Sequence, residues 1–267
     1  AFGWDAPRFA HLPMILAPDR TKLSKRHGAT SVVEFKNLGY LPEAIVNFVA
    51  LMGWNPKDER EIFSLEDLVK EFKIENVNKA PAIFNIEKLN SINERYIQNQ
   101  ISVILSHMDD GHLDNGQRTD YKKYLGDFGV TELTTGELEL LGRGGFKTLK
   151  EAAEYILSLR KEIDYSAEML IFRKSNRETT LKALQQVNKS TSQLEANAFG
   201  KSEELQKMLE EIVQLNGLTN GDVFWPVRVA LSGEEKSPSP VELMVALGKE
   251  ESLKRIKKAI EKLNTEL

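Results

Sequence analysis

Residues 41–53 read LPEAIVNFVALMG, and this stretch decides the fold class. Apolar residues recur at spacings of three and four, Pro42 sits in the first turn, where its missing N–H costs nothing, and Gly53 suits a left-handed cap. A helix over 41–53 is predicted. The most apolar run, Ala44–Trp54, is broken by Asn47 and Gly53 and is far shorter than the roughly 20 residues that span a bilayer, so no membrane partner is expected.

Outward from this helix the same grammar continues. Ser64 with Asp67 spells a capping box for a helix over 65–72, and Thr148 with Glu151 does so for 149–160. Helical periodicity predicts further elements over 86–98, 167–175, 178–189, 203–216, 222–231, 241–247 and 253–263. Residues 12–16 differ: LPMIL is a short apolar run among prolines 7, 13 and 18, readable as a strand or extended segment leading into a basic loop. The expected fold is mainly α with a short extended or β segment near the N-terminus. Polar, glycine-containing or loop-like breaks at 109–117 and 197–202 suggest three units, 1–108, 109–196 and 197–267.

The chain has 267 residues, 41% hydrophobic and 28% charged, which fits a globular protein and disfavours disorder, collagen and coiled coil. With no cysteine, disulfides, thiolate zinc sites, iron–sulfur clusters and a cysteine nucleophile are excluded. The opening AFGWDAPRF carries neither the basic nor the apolar region of a signal peptide, so a cytoplasmic protein is expected; the absence of an initiator methionine suggests a piece of something longer. Thirty-six basic against 40 acidic residues give a net charge of −4, so any nucleic-acid role needs local patches. There are three: Arg20, Lys22, Lys25, Arg26 and His27; Arg160, Arg173, Lys174, Arg177 and Lys182; and Lys254, Arg255, Lys257 and Lys258. For the last two, a solvated helix face laced with glutamate is the plainer reading.

The segment Lys22-Leu23-Ser24-Lys25-Arg26-His27-Gly28 carries the most chemistry. Two lysines three apart, with a hydroxyl and a glycine nearby, can set point charges on a polyphosphate and follow the charge that develops on departing pyrophosphate. An exposed basic loop is the alternative. The string His107-x-Asp109-Asp110-x-His112-x-Asp114 looks metal-binding but fails as an EF-hand, since Asn115 stands where the turn requires glycine; no metal is expected. Phe35, Phe48, Trp54, Phe63 and Phe72 have helix-compatible spacing and read as core.

KLSKRHG resembles the KMSKS signature of class I aminoacyl-tRNA synthetases. FAHLP upstream and GYLPEA from Gly39 are similar to bacterial glutamyl-tRNA synthetases. So are LMGW from Leu51, EIF from Glu61, FNIEKL from Phe84, Asn93, PVRVALSG from Pro226, Ser237-Pro238 and LGKE from Leu247. The resemblance implies a parent ligase that converts glutamate and ATP, with Mg2+, to glutamyl adenylate and pyrophosphate and then acylates tRNA(Glu). It implies Lys25 as principal ATP contact, supported by Lys22 and Ser24 within the motif Lys22, Leu23, Ser24, Lys25, Arg26. Residues 1–108 would end the catalytic fold and form a stem-contact domain, and the two later units would be helical anticodon-binding domains. Anticodon contacts carried over are Arg228, Pro226, Ser237 and Pro238, with Trp225 and Pro240 beside them. In the family an arginine just before x-Lys-Thr-Leu discriminates the third anticodon base; here Gly145 holds the ungapped position and Arg143 lies two residues earlier. If Arg143 does not fill that role, tRNA(Gln) is a second substrate of the parent. A monomer is expected. An alternative of another class is a non-catalytic helical adaptor that binds RNA or protein on a synthetase-like scaffold.

The family's HIGH motif and glutamate pocket have no counterpart in these 267 residues. The chain alone is therefore expected to give no glutamate-dependent pyrophosphate exchange, and measurable exchange by the purified chain would overturn this reading.

Overall fold

The computed structural model describes residues 3–5, 9–56, 58–109, 125–195, 198–199 and 201–265, apart from the side chains of 107–109. The histidine–aspartate string and most of the break at 109–117 therefore lie outside the described residues. The chain divides into two compact units, 1–100 with 144–152, and 101–143 with 153–267. Residues 197–267, expected as a third unit, thus share one unit with most of 109–196.

In the first unit, a two-residue strand β1 (Ile15–Leu16) pairs in parallel with β2 (Ala82–Ile83). Helices α1 (Val32–Asn37), α2 (Pro42–Gly53), α3 (Leu65–Glu71) and the first part of α4 (Ile86–Asp109) surround it in sequence. Helix α2 ends at Gly53 and buries Ala44, Asn47 and Phe48 at the expected spacing, but the left-handed cap expected at Gly53 is not formed: the chain leaves the helix through Trp54 in an extended conformation (φ −104°, ψ 140°). Asn47 is tolerated there because every polar atom is used. Its amide donates to Glu61 O at 2.8 Å, and its Oδ1 accepts from Phe63 N–H at 2.6 Å and the Tyr96 hydroxyl at 2.9 Å.

Phe35, Phe48, Trp54 and Phe63 are core, with Trp54 and Phe63 edge to face at 5.5 Å. Phe72 is the correction: it follows the end of α3, where the helical register lapses, and is 40% exposed. Gly39 meets Leu149 backbone to backbone. The Leu149 N–H donates to Gly39 O at 2.9 Å, and a Cβ on Gly39, whose φ is 85°, would lie 2.5 Å from Lys150 N. Asn93 closes the junction by accepting from Leu41 N–H at 2.8 Å and donating to Lys147 O at 2.7 Å.

The second unit holds α5 (Thr135–Gly142), the later turns of α6 (Leu149–Arg160), α7 (Arg177–Gln193), α8 (Ser202–Leu215), α9 (Asn220–Ser232) and α10 (Pro240–Thr265). Helix α10 packs against α5, α7, α8 and α9. It joins the two predicted helices 241–247 and 253–263, with non-helical backbone at Gly248 (φ 72°, ψ 177°) between its halves. Helix α5 escaped the sequence reading although Thr134 and Glu137 cap it reciprocally. The predicted helix over 167–175 is instead one short 3-10 turn, Ala167–Leu170, followed by a reverse turn in which Ser175 N–H donates to Phe172 O at 2.8 Å. Asn176 then caps α7 from an extended conformation that a continuing helix cannot adopt.

Cations of α10 close the carboxyl ends of three other helices. Arg255, 4% exposed, donates to Leu231 O at 2.6 Å at the end of α9, and to Leu159 O at 2.5 Å and Lys161 O at 3.2 Å at the end of α6. Lys249 donates to Ser192 O at 3.0 Å and to Leu194 O at the end of α7. Arg177 returns the arrangement by donating to Leu263 O near the end of α10. These carbonyls lack intrahelical donors and sit at the negative end of their helices, so each cation satisfies both a hydrogen-bond and a charge requirement.

Arg255→Ala should therefore destabilise the protein by about 3 kcal/mol, since it strands two buried carbonyls, a part-buried third and the Glu251 carboxylate at once. Arg255→Lys should recover only part of this, because one ammonium cannot serve both helix ends. Urea unfolding of the two variants checks the order; equal stability of Arg255→Ala and wild type would refute it.

Candidate RNA and nucleotide interface

The candidate residues form two groups, one in each unit. In the first, the chain leaves β1 through a tight turn in which Ala17 N–H donates to Thr21 O and Arg20 N–H to Ala17 O, both at 2.8 Å, and returns beside Leu16 at Lys22. Arg20 is the one non-glycine residue of positive φ among the described residues, at 61°, a conformation that costs about 1 kcal/mol or more. Asp19 Oδ1 accepts from the Thr21 N–H at 2.9 Å and hydroxyl at 2.7 Å. Those two bonds, the hydroxyl first, hold the Asp19 carboxyl below its ordinary value against a small opposing effect of burial.

A short 3-10 turn, Lys25–His27, follows. Here the five basic residues part company. Arg26 donates to Thr21 Oγ1 at 3.1 Å, and His27 Nδ1 lies 3.2 Å from the Ser24 N–H. A backbone N–H can only donate, so Nδ1 accepts and the neutral ring carries its proton on Nε2, which faces Asp19 Oδ2 at 3.5 Å. Arg26 Nε, 3.2 Å from that same Nε2, is then a close neighbour rather than a bonding partner. Lys22 and Lys25 are exposed and enter no ion pair or hydrogen bond through their ammonium groups among the described residues. The nearby Glu34 carboxylate is committed to the Thr30 N–H at 2.8 Å and the Ser31 N–H at 2.9 Å, which hold it below its ordinary value. Two solvated ammonium groups thus stand on a pinned turn beside half-exposed Leu23 and Ser24.

The second group lies on α9, α10 and the link between them. Trp225 is half-buried; its Nε1–H donates to Met169 O at 2.9 Å, and its ring meets Phe172 at 5.9 Å between centroids. Pro226 is buried inside α9, so its ring offers no open stacking face. Arg228 is half-buried, one helical step from Trp225, and its Nε is buried without a partner. Gly233, at φ 74°, ends α9, and Ser237 and Pro238 follow, half-exposed. Pro240 is buried at the first position of α10, behind Ser239, whose N–H donates to Glu242 at 2.5 Å.

Arg143 reaches this helix start. Its guanidinium donates to Glu242 Oε1 at 2.5 Å, which brings Arg143 and the Pro240 turn into one cluster. Glu242 was missed from sequence, although Ser239-x-x-Glu242 spells the capping box that positions it. Gly145, by contrast, is exposed at φ 90°, an unfavourable place for any side chain. Burial works to raise the Glu242 carboxyl, but the Ser239 N–H and hydroxyl and the Arg143 guanidinium outweigh it and hold the group below its ordinary 4.5. Among the described residues no group of histidine and carboxylate side chains could hold a metal ion.

Two family models match the chain: the catalytic domain of class I tRNA synthetases (E and Q) over residues 1–91, and an anticodon binding domain over 130–260. Glutamate–tRNA ligase 2 of Thermoanaerobacter pseudethanolicus is 38% identical across 98% of this chain and 52% of its own length. A Clostridium botulinum glutamate–tRNA ligase is 36% identical at the same coverage. A glutamate tRNA ligase from Elizabethkingia meningosepticum, solved in complex with its amino acid, superposes with a TM-score of 0.71 at 32% identity, over 97% of this chain and 52% of that one. The chain thus spans about half the length of the relatives it matches.

Because the Glu242 carboxyl is depressed in the folded state, its contribution is complete above the ordinary value of 4.5 and fades as pH falls through the lower folded value. Glu242→Gln should cost about 1 kcal/mol at pH 7 through the lost cap and ion pair, with the deficit shrinking below about pH 4. Thermal unfolding of both proteins across pH 3–7 checks this; a deficit that does not depend on pH would contradict it.

Proposed function

We infer that this chain, a relative of the class I glutamate–tRNA ligases along 98% of its length, is the tRNA-binding part of such a ligase together with its pyrophosphate-handling loop. In the whole reaction a glutamate carboxylate oxygen attacks the α-phosphorus of ATP and pyrophosphate leaves. A ribose hydroxyl at the end of tRNA(Glu) then attacks the activated carbonyl and AMP departs. This chain's share of the first step is electrostatic. Lys25, with Lys22, sets positive charge where the leaving pyrophosphate gains negative charge, and Ser24 with its neighbours holds the turn. Mg2+ would arrive on the triphosphate rather than on carboxylates of this chain.

The observation that carries the reading is the division of labour in that loop: Arg26 and His27 are tied into its frame, while Lys22 and Lys25 are exposed and form no ion pair or side-chain hydrogen bond among the described residues. A helical adaptor has no use for two uncompensated ammonium groups on a pinned turn. Residues 1–108 would end the catalytic fold and form the stem-contact part, with 109–196 and 197–267 the anticodon-binding parts. The protein would act as a cytoplasmic monomer.

An anticodon presents unstacked bases, which are read by stacking and by hydrogen bonds to their edges. Arg228 suits this role because it is only half-buried on the helix beside the Ser237–Pro238 link, and a guanidinium can donate to base edges. Ser237 and Pro238 offer a hydroxyl and a flat ring on the adjoining link, with Trp225, Pro226 and Pro240 fixing the two helices around it. Arg143 takes the place of the discriminating arginine: Gly144 and Gly145, both at φ 90°, give the backbone freedom to set it against the head of α10. Should it fail to discriminate, tRNA(Gln) becomes a second substrate.

Arg228→Ala should weaken binding of tRNA(Glu) about tenfold, as expected for losing one arginine contact to a base, while its melting temperature stays close to wild type. Unchanged tRNA affinity would mean that Arg228 only packs within its helix.

A further inference from the structure

The second basic patch, Arg160 to Lys182, does not survive folding as one surface. Arg160 is bound to both oxygens of Glu137, at 2.8 and 2.7 Å, and to Glu132 O; Arg177 closes the end of α10. Arg173 and Lys174, and Lys182 further along α7, are left exposed with no side-chain hydrogen bond or ion pair among the described residues; Arg173 and Lys174 stand side by side. They occupy the two corner positions of the Phe172–Ser175 turn, so their side chains leave it outward.

That turn has a rigid base. Phe172 rests against Gly221 so closely that a Cβ there would lie 2.3 Å from its ring, and its other neighbour is the Trp225 ring. Trp225 is fixed in turn by its bond to Met169 O, and Asn176, capping α7 through the Thr179 N–H at 2.8 Å, holds the far side. Two uncompensated cations therefore stand beside a half-exposed aromatic pair, and that pair lies one helical step from Arg228.

Cations alone would suit any anion, including an acidic protein. Cations next to flat, partly open rings suit a strand that alternates phosphates with planar bases. We propose that Arg173 and Lys174, on the Phe172–Trp225 platform, bind two phosphates of the RNA strand flanking the bases read around Arg228. This rests on the tRNA-binding reading above and extends it to a turn outside the residues carried over by resemblance.

The test is the salt dependence of tRNA(Glu) binding by the 267-residue chain. Arg173→Ala with Lys174→Ala should weaken binding about tenfold near 0.1 M salt and lower the slope of log affinity against log salt by about 1.5, the value for two lost phosphate contacts. Exchanging the pair for Arg173→Lys with Lys174→Arg should keep the slope, and Lys254→Ala with Lys257→Ala should leave it unchanged. If wild type binds tRNA but the double alanine variant keeps both affinity and slope, the proposal is overturned while the tRNA reading stands. Lost affinity at an unchanged slope would also overturn it, since the two cations would then not face phosphates. Failure of wild type to bind tRNA at all would remove the reading on which it rests.

Discussion

Every helix that ends inside a protein leaves carbonyl groups without donors, and in the second unit these ends are closed by cations from neighbouring helices. Arg255 is central because its planar guanidinium has donors enough to serve α9 and α6 together while keeping its own bond to Glu251. Lys249 does the same for α7, and Arg177 ties off α10 itself. The order of the bundle, and so the placement of Trp225, Arg228 and the Pro240 turn, depends on these bonds.

The same constraint sorts a chain of net charge −4 into structural and available cations. A guanidinium buried among carbonyls, as Arg255 is, cannot reach a phosphate. With Arg160, Arg177 and Arg255 committed, the cations that form no hydrogen bond or ion pair among the described residues include Lys22 and Lys25 in one unit and Arg173, Lys174 and Lys257 in the other. In the basic loop the sorting is finer still, since Arg26 and His27 brace a turn whose two lysines stay solvated.

What could be read from the sequence was local. Gly53, the Ser64–Asp67 box and the Thr148–Glu151 box mark helix ends because each acts within four residues. The 3-10 turn at 167–170 could not be read, because contacts of Phe172 and Trp225 with a distant segment decide it. Nor could the fates of Arg173 and Arg177, four residues apart and alike in sequence: one faces water and the other a carbonyl 86 residues away. Arg143 was legible as a candidate, whereas its partner Glu242, 99 residues on, was not. Helix α5 was legible in principle from Thr134 and Glu137, but its length of only two turns gives little periodicity.

The central claim is that RNA is met by the cations around the Trp225–Arg228 segment and the Pro240 turn, and not by the third basic patch at Lys254 and Lys257. Chemical footprinting of amine and guanidinium groups, with and without tRNA(Glu), tests it residue by residue. Protection is predicted at Arg143, Arg173, Lys174 and Arg228, with Lys254 and Lys257 unchanged. Protection centred on Lys254 and Lys257, with the turn at 172–175 and Arg228 as reactive as before, would contradict it.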